Sequence, residues 1–350
     1  MRARPTANPD NRFAHSTLEY DPGEGPPPSS VMLLEDQSRS ILSHNDSPDL
    51  GFRWSVNPYR GCVHACAYCY ARPTHEYLDL GAGTDFDTKI VYKPRAAELL
   101  RGAFDARSWK GELVMFSGVT DCYQPFESRL GLTRACLEVC LEYRNPVAII
   151  SKSALVERDI DLLLALSREA SAGVNVSLAF SDAGLARALE PWAPSPERRL
   201  AVIERMARAG VPVGVMVAPI IPGLNDQQLP EVLRRAREAG ATRAGWALLR
   251  LPGAVAGVFE ERIRAAMPLA ADKILHRIRE TRGGERLYDS RFHVRQRGVG
   301  GYAELIRHLF ETTTARLGFQ PRADDEPDPT TFRRPPGRGG RRQLSLPILG

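Results

Sequence analysis

The sequence predicts an α/β fold, an open partial (β/α)6 barrel with disordered N- and C-terminal tails. Two observations predict it. Five short runs are apolar on both faces, as in strands of a parallel sheet that helices cover. Helical segments alternate with these runs, and the segment before Cys62 supplies a first strand, which gives about six βα units. Six units are too few for a closed eight-stranded barrel but suit an open one.

The elements follow one another in a regular order. The strand candidates after the first are ELVMFSG, PVAIISK, VNVSLAF, VPVGVMVAP and RAGWALLRLP. The helical segments are LTRACLEVCLEYR, RDIDLLLALSREA, SPERRLAVIERMARAG and DQQLPEVLRRAREAG. Capping signals agree with these limits, because Ser195 and Pro196 begin one helix and Gly210 and Gly240 end two others.

Composition divides the chain into four parts. Residues 1–45 include DPGEGPPPSS, and residues 321–350 form a basic tail rich in Pro and Gly. Neither part can bury enough apolar surface to offset its ordering entropy, so we expect both to be mostly disordered. We expect residues 46–285 to form the barrel and residues 286–320 a C-terminal helical extension.

The net charge of +5 over 350 residues is concentrated in the tail. Residues 333–350 contain five arginines and no acid, and the rest of the chain has 42 basic and 42 acidic side chains. Net charge therefore gives no argument for a large surface that binds nucleic acid. We see no apolar run near the ~18 residues of a membrane span. The N-terminus lacks a secretory apolar region, so we expect a cytoplasmic protein without membrane contact.

Three cysteines, Cys62, Cys66 and Cys69, stand in the spacing C-x3-C-x2-C. In a reducing compartment such a cluster indicates metal ligands or catalytic thiols rather than disulfides. Three thiolates on one loop can bind three irons of a [4Fe–4S] cluster and leave the fourth iron open. Zinc, with His64 or His75 as the fourth ligand, is the alternative. Zinc sites usually have a second, distant pair of ligands, and the sequence has none.

The cysteine spacing, with Tyr68 just before the last cysteine, resembles the signature of the radical S-adenosylmethionine (SAM) enzymes. The resemblance implies that SAM binds the open iron and is cleaved to a 5′-deoxyadenosyl radical, with a reductant protein such as flavodoxin or ferredoxin as partner. A closer similarity covers nearly all of residues 38–320. It is to bacterial radical SAM proteins grouped with spore photoproduct lyase and often labelled "DNA repair photolyase". The segments that carry it include NPYRGCVHACAYCYARPTHEY, VTDCYQPFESRLGLTR, EPWAPSPERRL and VAPIIPGLND.

The resemblance also implies a cofactor site. Polar residues just past the second strand hold the amino group of SAM in this superfamily, and the matching stretch here is residues 117–121. Thr120 and Asp121 can accept hydrogen bonds from an ammonium group, although a turn that closes the strand is the alternative. Lys152 is expected to pair with the cofactor carboxylate, unless it is solvated, and Ser177 to reach the ribose, unless it only lies in the sheet. The predicted cofactor-binding residues are Tyr68, Ser117, Thr120, Asp121, Lys152 and Ser177.

A hydrogen donor for the product radical is the next expectation. Spore photoproduct lyase uses a cysteine on this strand, and the position that matches it here is Gly118. Cys122, where relatives usually have proline, and Tyr123 are the candidate catalytic donors. Strand alternation would place Cys122 on the side of Gly118 only if the strand continued through Asp121. Cys136, four residues before another cysteine on one helix face, is expected to lie in the core.

These features together predict a radical SAM enzyme with a [4Fe–4S] cluster and SAM, a lyase or repair enzyme that acts on nucleic acid. The alternative is a binding protein, associated with nucleic acid or a sliding clamp, in which the cluster is structural. Residues 343–349, QLSLPIL, resemble the peptide by which bacterial repair and replication proteins bind the sliding clamp, with Pro347 in place of the usual aromatic residue.

Overall fold

The computed structural model describes residues 8–9, 30–321 and 330–336. The strands are β1 (Met32–Glu35), β2 (Leu42–His44), β3 (Trp54–Val56), β4 (Tyr59–Arg60), β5 (Lys89–Tyr92), β6 (Val114–Phe116), β7 (Val147–Ser151), β8 (Ala172–Ser177), β9 (Val213–Ile220) and β10 (Arg243–Leu248). The α-helices are α1 (Thr84–Thr88), α2 (Ala96–Asp105), α3 (Glu127–Leu130), α4 (Leu132–Glu142), α5 (Ile160–Glu169), α6 (Ala183–Leu189), α7 (Pro196–Arg208), α8 (Leu229–Glu238), α9 (Val255–Ala266), α10 (Ala271–Glu280), α11 (Val294–Arg297) and α12 (Gly301–Arg316).

The main sheet has the strand order β10-β9-β8-β7-β6-β3-β2. All neighbours from β3 to β10 pair in parallel, and only β2 pairs antiparallel, with β3. The six parallel strands confirm the predicted open barrel of six βα units. Because they are parallel, their carboxyl ends lie at one edge, the edge that carries the chemistry in such folds.

Helices cover the sheet because each has one apolar face. α4, α5, α7 and α8 coincide closely with the predicted helical segments and bury side chains such as Leu163 and Val232 in the main core. The caps are also as expected. The hydroxyl oxygen of Ser195 accepts a hydrogen bond from the Arg198 N–H at 3.2 Å. Gly210 and Gly240, just past α7 and α8, have φ of +82° and +104°, a conformation that side-chain-bearing residues rarely adopt.

A second, three-stranded sheet of order β1-β5-β4 stands beside the first strand of the barrel. Residues 30–45 belong to the segment that the sequence predicts to be mostly disordered, yet they contain β1 of this sheet and β2 of the main sheet. The Pro-rich stretch ends at Ser30, and the residues after it include Ile41, which is 2% exposed in the main core. That burial offsets the entropy of ordering this part of the chain.

Part of the predicted C-terminal tail packs against the barrel. Residues 330–336 pack against α2 and α4, with the Phe332 ring centroid 6.0 Å from that of Phe104 and 6.1 Å from that of Tyr143. The Arg334 guanidinium donates to the carbonyl oxygens of Phe104 and Ala106 at 3.1 and 2.8 Å, groups that the end of a helix leaves without partners. The clamp-like peptide, residues 343–349, lies outside the described residues.

The segment after α10 covers the outer edge of β10. Arg297 donates to the carbonyl oxygen of Trp246 at 3.0 Å, and Gln320 forms a parallel bridge with Arg243. Arg295 from the same segment pairs with Asp49 in the connection between β2 and β3. None of the helices within the described ranges is long and apolar enough to cross a membrane.

Candidate active site

The three predicted cluster cysteines lie on the loop that follows β4, at the carboxyl ends of the parallel strands. Cys62 packs with Phe86 and with Val119, which follows β6. Cys66 belongs to an apolar cluster that includes Ile221 and Leu249, the residues directly after β9 and β10. The loop therefore lies across the mouth of the barrel, as predicted for a cofactor site.

The three thiols are free and lie close to one another. Burial raises the pKa of the Cys62 thiol, and negative charge on Asp121, Cys66 and Cys69 raises it further. Burial likewise raises the pKa of Cys66 to about 12, against the lowering influence of Lys152. A buried thiol resists ionisation unless a cation takes the place of its proton, so these ligands suit a metal group.

Arg72 holds the backbone of the cysteine loop from below. This guanidinium is buried and donates twice to the carbonyl oxygen of Cys66, at 3.0 and 3.1 Å. It also donates to the carbonyl oxygens of Ala82 and Gly83 at 2.9 and 3.0 Å. These bonds fix the carbonyl beside the central cysteine and leave the side chain of Cys66 directed to the mouth side of the loop, among the apolar residues after β9 and β10.

A buried network ties the same loop to the turn between α6 and α7. The Tyr68 hydroxyl donates to Glu190, and Glu190 forms an ion pair with Arg199. Arg199 in turn donates to the carbonyl oxygen of Ser177 at 3.2 Å. Sequence reasoning did not assign Glu190 or Arg199, although both stand in the quoted segment EPWAPSPERRL. The available signal was an acid and an arginine nine positions apart, at either end of a Pro-rich stretch.

Asp121 joins the carboxyl ends of β6 and β7. One carboxylate oxygen accepts from the Ser151 hydroxyl at 2.7 Å and from the Tyr123 N–H at 3.0 Å, and the other accepts from the Lys152 N–H at 2.8 Å. His64 Nδ1 lies 3.5 Å from the second oxygen. The Asx-type turn weighed as the alternative is thus present at this position. The carboxylate does lie beside the cysteine loop, and its contact with the cofactor amino group stays a prediction.

Thr120 and Ser117 shape the turn after β6. The Thr120 hydroxyl donates to the carbonyl oxygen of Gly61 at 2.6 Å, which connects this turn to the residue before Cys62. The Ser117 hydroxyl oxygen accepts from the Cys122 N–H at 3.0 Å, and Ser117 itself has a φ of +79°. Both side chains are engaged by protein groups, so their predicted contact with SAM remains untested.

Lys152 projects from the end of β7 toward the cysteine loop. Its ammonium nitrogen lies 5.7 Å from the centroid of the Tyr68 ring. Burial lowers the pKa of Lys152, but the negative charges of Cys66 and Glu190 outweigh this effect and raise it, so the side chain is a cation at the site. Ser177 donates instead to the carbonyl oxygen of Ala218 at 3.3 Å, which is the in-sheet alternative.

The two predicted hydrogen donors, Cys122 and Tyr123, are both buried, and their catalytic role stays a prediction. Cys122 is fully buried in the main core with Cys136. β6 ends at Phe116 and a turn follows, so the alternation that would have aimed Cys122 at the cysteines is broken. The Tyr123 hydroxyl is also buried and donates to Asp159 at 3.0 Å. Both side chains are thus engaged in packing or hydrogen bonding within the protein, which gives their predicted role no support.

Tyr70 and Arg250 form the open side of the site. The Tyr70 hydroxyl donates to the carbonyl oxygen of Gly118 at 2.9 Å, and the Arg250 guanidinium carbon lies 5.2 Å from the Tyr70 ring centroid. Among the residues that the structure describes, the buried Arg250 Nε has no hydrogen-bond partner. The Arg250 Nε–H is therefore free to donate to an atom that the described residues do not supply.

These residues fit a [4Fe–4S] cluster with SAM. The donor set is three soft thiols, and the cations Lys152 and Arg250 beside it suit a ligand that carries a carboxylate. A single zinc ion would need its ligands to converge on one point, whereas cluster thiolates bind separate irons. Over residues 8–9, 30–321 and 330–336, no three His, Cys, Asp or Glu side chains form such a convergent group.

The fold and the loop together define the class of protein. The sequence profile of the Radical SAM superfamily matches residues 56–236, which is more than half of the chain. The chain belongs to the radical SAM superfamily, whose members bind a [4Fe–4S] cluster and SAM.

Several relatives share long stretches of sequence. An uncharacterized protein of Mycobacterium tuberculosis is 42% identical over 212 residues, which are 60% of this chain and 62% of that protein. An uncharacterized protein of Methanocaldococcus jannaschii is 32% identical over 198 residues, 57% of this chain and 71% of that protein. This chain thus spans less than two thirds of the length of the mycobacterial relative.

Among solved structures, the fold is similar to that of spore photoproduct lyase complexed with dinucleoside spore photoproduct. The TM-score is 0.58 at 16% sequence identity, over 82% of this chain and 80% of that chain. At this identity the similarity shows the fold and agrees with the open barrel predicted from the sequence.

Proposed function

We propose that this protein is a radical SAM enzyme that cleaves SAM reductively and uses the resulting radical to abstract hydrogen from a substrate. The observation that carries the proposal is the position of the cysteine loop. Three free thiols in the spacing C-x3-C-x2-C lie at the carboxyl ends of six parallel strands, beside the half-buried cation Lys152.

The chain's own residues have distinct tasks in this proposal. Cys62, Cys66 and Cys69 bind three irons, and the bound cluster with SAM supplies one-electron cleavage of the sulfonium. Lys152 and Arg250 are placed to bind the cofactor carboxylate. The apolar residues around the thiols, Ile221 and Leu249 among them, exclude water from the site and protect a reactive species from side reactions.

For the substrate we propose nucleic acid, and for the reaction a photolyase-like lyase or repair step. Support comes from the sequence similarity to the spore photoproduct lyase group and from the shared fold, since the solved lyase binds a dinucleoside photoproduct. A flavodoxin- or ferredoxin-type protein is the proposed reductant. The peptide at residues 343–349 is proposed to bind a sliding clamp.

Anaerobic reconstitution tests the enzyme proposal. We expect about four irons per chain, a change in the electron paramagnetic resonance signal of the reduced cluster when SAM is added, and release of 5′-deoxyadenosine with reductant. Cys66→Ala should lose the iron. Cys136→Ala is the matched control and should keep it, because Cys136 is buried in the core away from the loop.

Two outcomes would contradict the proposal. Stoichiometric zinc without charge-transfer absorbance would exclude the cluster. An electron paramagnetic resonance signal that does not change when SAM is added would favour the alternative, a binding protein with a structural cluster. Incubation of the active enzyme with damaged and undamaged oligonucleotides then tests the substrate, because only a true substrate should be converted to a new product, which mass spectrometry detects whether SAM is consumed or regenerated.

A further inference from the structure

A polar cavity of about 130 Å³ lies on the outer side of the cysteine loop. Its wall is formed by Asn57 after β3, Arg60 on β4, Thr74 on the cysteine loop, Lys93 after β5 and Val119 after β6, together with Ser43 and Tyr77. Val119 also packs against the group that contains Cys62. Val119 therefore connects the cavity wall with the group that contains Cys62.

The charges that line the cavity are positive. Lys93 is only 8% exposed, and its ammonium group donates to the Ser40 carbonyl oxygen at 2.8 Å with the Asp36 carboxylate 3.9 Å away. Arg60 is half-buried, and within the described ranges no hydrogen bond or close ion pair of its guanidinium is seen, although its charge helps to lower the pKa of Asp36. Asp36 lies behind Lys93 and does not line the cavity, and none of the described lining residues is acidic.

Free hydrogen-bond donors accompany the charges. The Arg60 guanidinium has five N–H groups in a planar fork, the geometry that matches two oxygens of a phosphate or carboxylate. Asn57 uses its oxygen to accept from the Val119 N–H at 2.9 Å and one N–H to reach Ser55 Oγ at 3.3 Å, which leaves its second N–H available. A half-buried arginine without a hydrogen-bond acceptor, next to a buried lysine, favours the binding of an anion.

We propose that this cavity binds an oxyanion of the substrate, a phosphate or carboxylate group, through Arg60 and Lys93. The reacting part of that substrate then passes over Val119 toward the cysteine loop. The role of the anion as part of a substrate rests on the proposed function, whereas the binding of the anion does not. The net charge of residues 1–332 is neutral and does not indicate a site for an anion. The cavity nevertheless has a local positive charge.

Calorimetric titration of the reconstituted full-length protein with inorganic phosphate and, separately, with acetate tests the site at fixed ionic strength. We expect the preferred anion to bind at least about tenfold more weakly to Arg60→Gln than to the unmodified protein, because a charge-assisted pair of hydrogen bonds is lost. Arg60→Lys should retain part of the affinity, since it keeps the charge and loses the fork. Arg243→Gln is the matched control, because Arg243 begins β10 at the opposite end of the sheet, and it should bind like the unmodified protein.

The titrations with phosphate and with acetate identify the kind of oxyanion that binds. Binding of phosphate alone indicates a phosphate-bearing substrate, binding of acetate alone indicates a carboxylate, and either result supports the site. The inference is overturned if neither anion binds, or if Arg60→Gln and Arg243→Gln bind equally well. Lys93→Met provides a second test should Arg60→Gln not fold, and unchanged affinity in it also overturns the inference. Release of 5′-deoxyadenosine is measured separately, so failure of the anion site and failure of the enzyme proposal give different results.

Discussion

Arg72 and Asp87 form an ion pair of 2.9 Å beneath the cysteine loop, and their side chains are 1% and 2% exposed. Every N–H group of this arginine has an acceptor in the protein, two of them at the Cys66 carbonyl. The pair connects the ligand loop to α1. Its integrity therefore bears on both the stability of the protein and the retention of metal.

Replacement of this arginine should destabilise the protein strongly. Arg72→Met leaves the Asp87 carboxylate buried without its partner, so we expect the free energy of unfolding to fall by about 3–5 kcal/mol. Urea unfolding of the full chain measures the change, and iron content after reconstitution should fall with it. Arg95→Met is the control, because the Arg95–Glu98 pair is exposed, and it should leave both quantities within error. Equal effects of the two variants would contradict the assigned role of Arg72.

Removal of the Cys122 thiol should leave the chemistry intact. Because Cys122 is fully buried in the main core, Cys122→Ala should cleave SAM and yield the same products as the unmodified enzyme. We expect a loss of stability of about 1 kcal/mol from the small cavity that remains. Product analysis by mass spectrometry checks the first point and thermal unfolding the second. Oxidised or trapped substrate products in the variant would restore the catalytic role predicted from the sequence.

The contact of residues 330–336 with α2 and α4 should contribute measurably to stability. Phe332→Ala removes two aromatic contacts from a half-buried position, and we expect a cost of about 1–2 kcal/mol. Leu305→Ala is the control, since Leu305 is 61% exposed, and it should have no effect on the melting temperature. Gly111→Ala tests the same contact from the other side. Its Cβ would lie 2.2 Å from the Phe332 Cβ, at a φ of +74°, so the segment must shift.

Acid should weaken the fold through His75. This histidine is buried, its Nε2 donates to the Lys89 carbonyl oxygen at 2.9 Å, and burial lowers its pKa from 6.5 to about 4. Since the unfolded chain takes up the proton first, the stabilising contribution is present above pH 6.5 and is lost as the pH falls toward 4. Between pH 7 and pH 5 we expect a loss of about 2 kcal/mol.

The measurement must isolate His75 from Asp87. Burial raises the pKa of Asp87 to about 6, so that carboxyl stabilises the protein as the pH falls from 6 to 4 and opposes His75. The contribution of Asp87 is the same in the unmodified protein and in His75→Gln, so it cancels in the difference between their free energies of unfolding. That difference should depend on pH, and the corresponding difference for the exposed His308→Gln should not. A pH-independent difference for His75→Gln would refute the assignment.

The barrel was predictable because each of its strands and helices has a recognisable pattern within its own stretch of sequence. Apolar runs such as VAIIS can be buried on both faces, and caps such as Ser195 mark helix starts. The small sheet was not predictable. β4 has two residues and β5 four, and strands that short show no period; what stabilises them is pairing with distant segments.

The same distinction between local and long-range signals applies to the candidate site. The spacing of Cys62, Cys66 and Cys69 is local, so it identified the ligand loop. The orientation of Cys122 depends on where β6 ends. β6 ends because Ser117 adopts a positive φ, a conformation that cannot be predicted from a serine in the sequence. The hydrogen bond of Tyr68 to Glu190 spans 122 positions and exists only once the loop meets the turn after α6.

The covered edge of β10 has a consequence for behaviour at high concentration. A free outer strand offers its amide and carbonyl groups as a template on which a second molecule can add a strand. In residues 30–321, Arg297 and Gln320 take up that side of β10, and the opposite border of the sheet is β2, only three residues long. Neither border of the sheet therefore offers a long free strand on which a second molecule could add its own. We expect the folded protein to resist cross-β polymerisation, even though its interior consists of strands of strong β propensity.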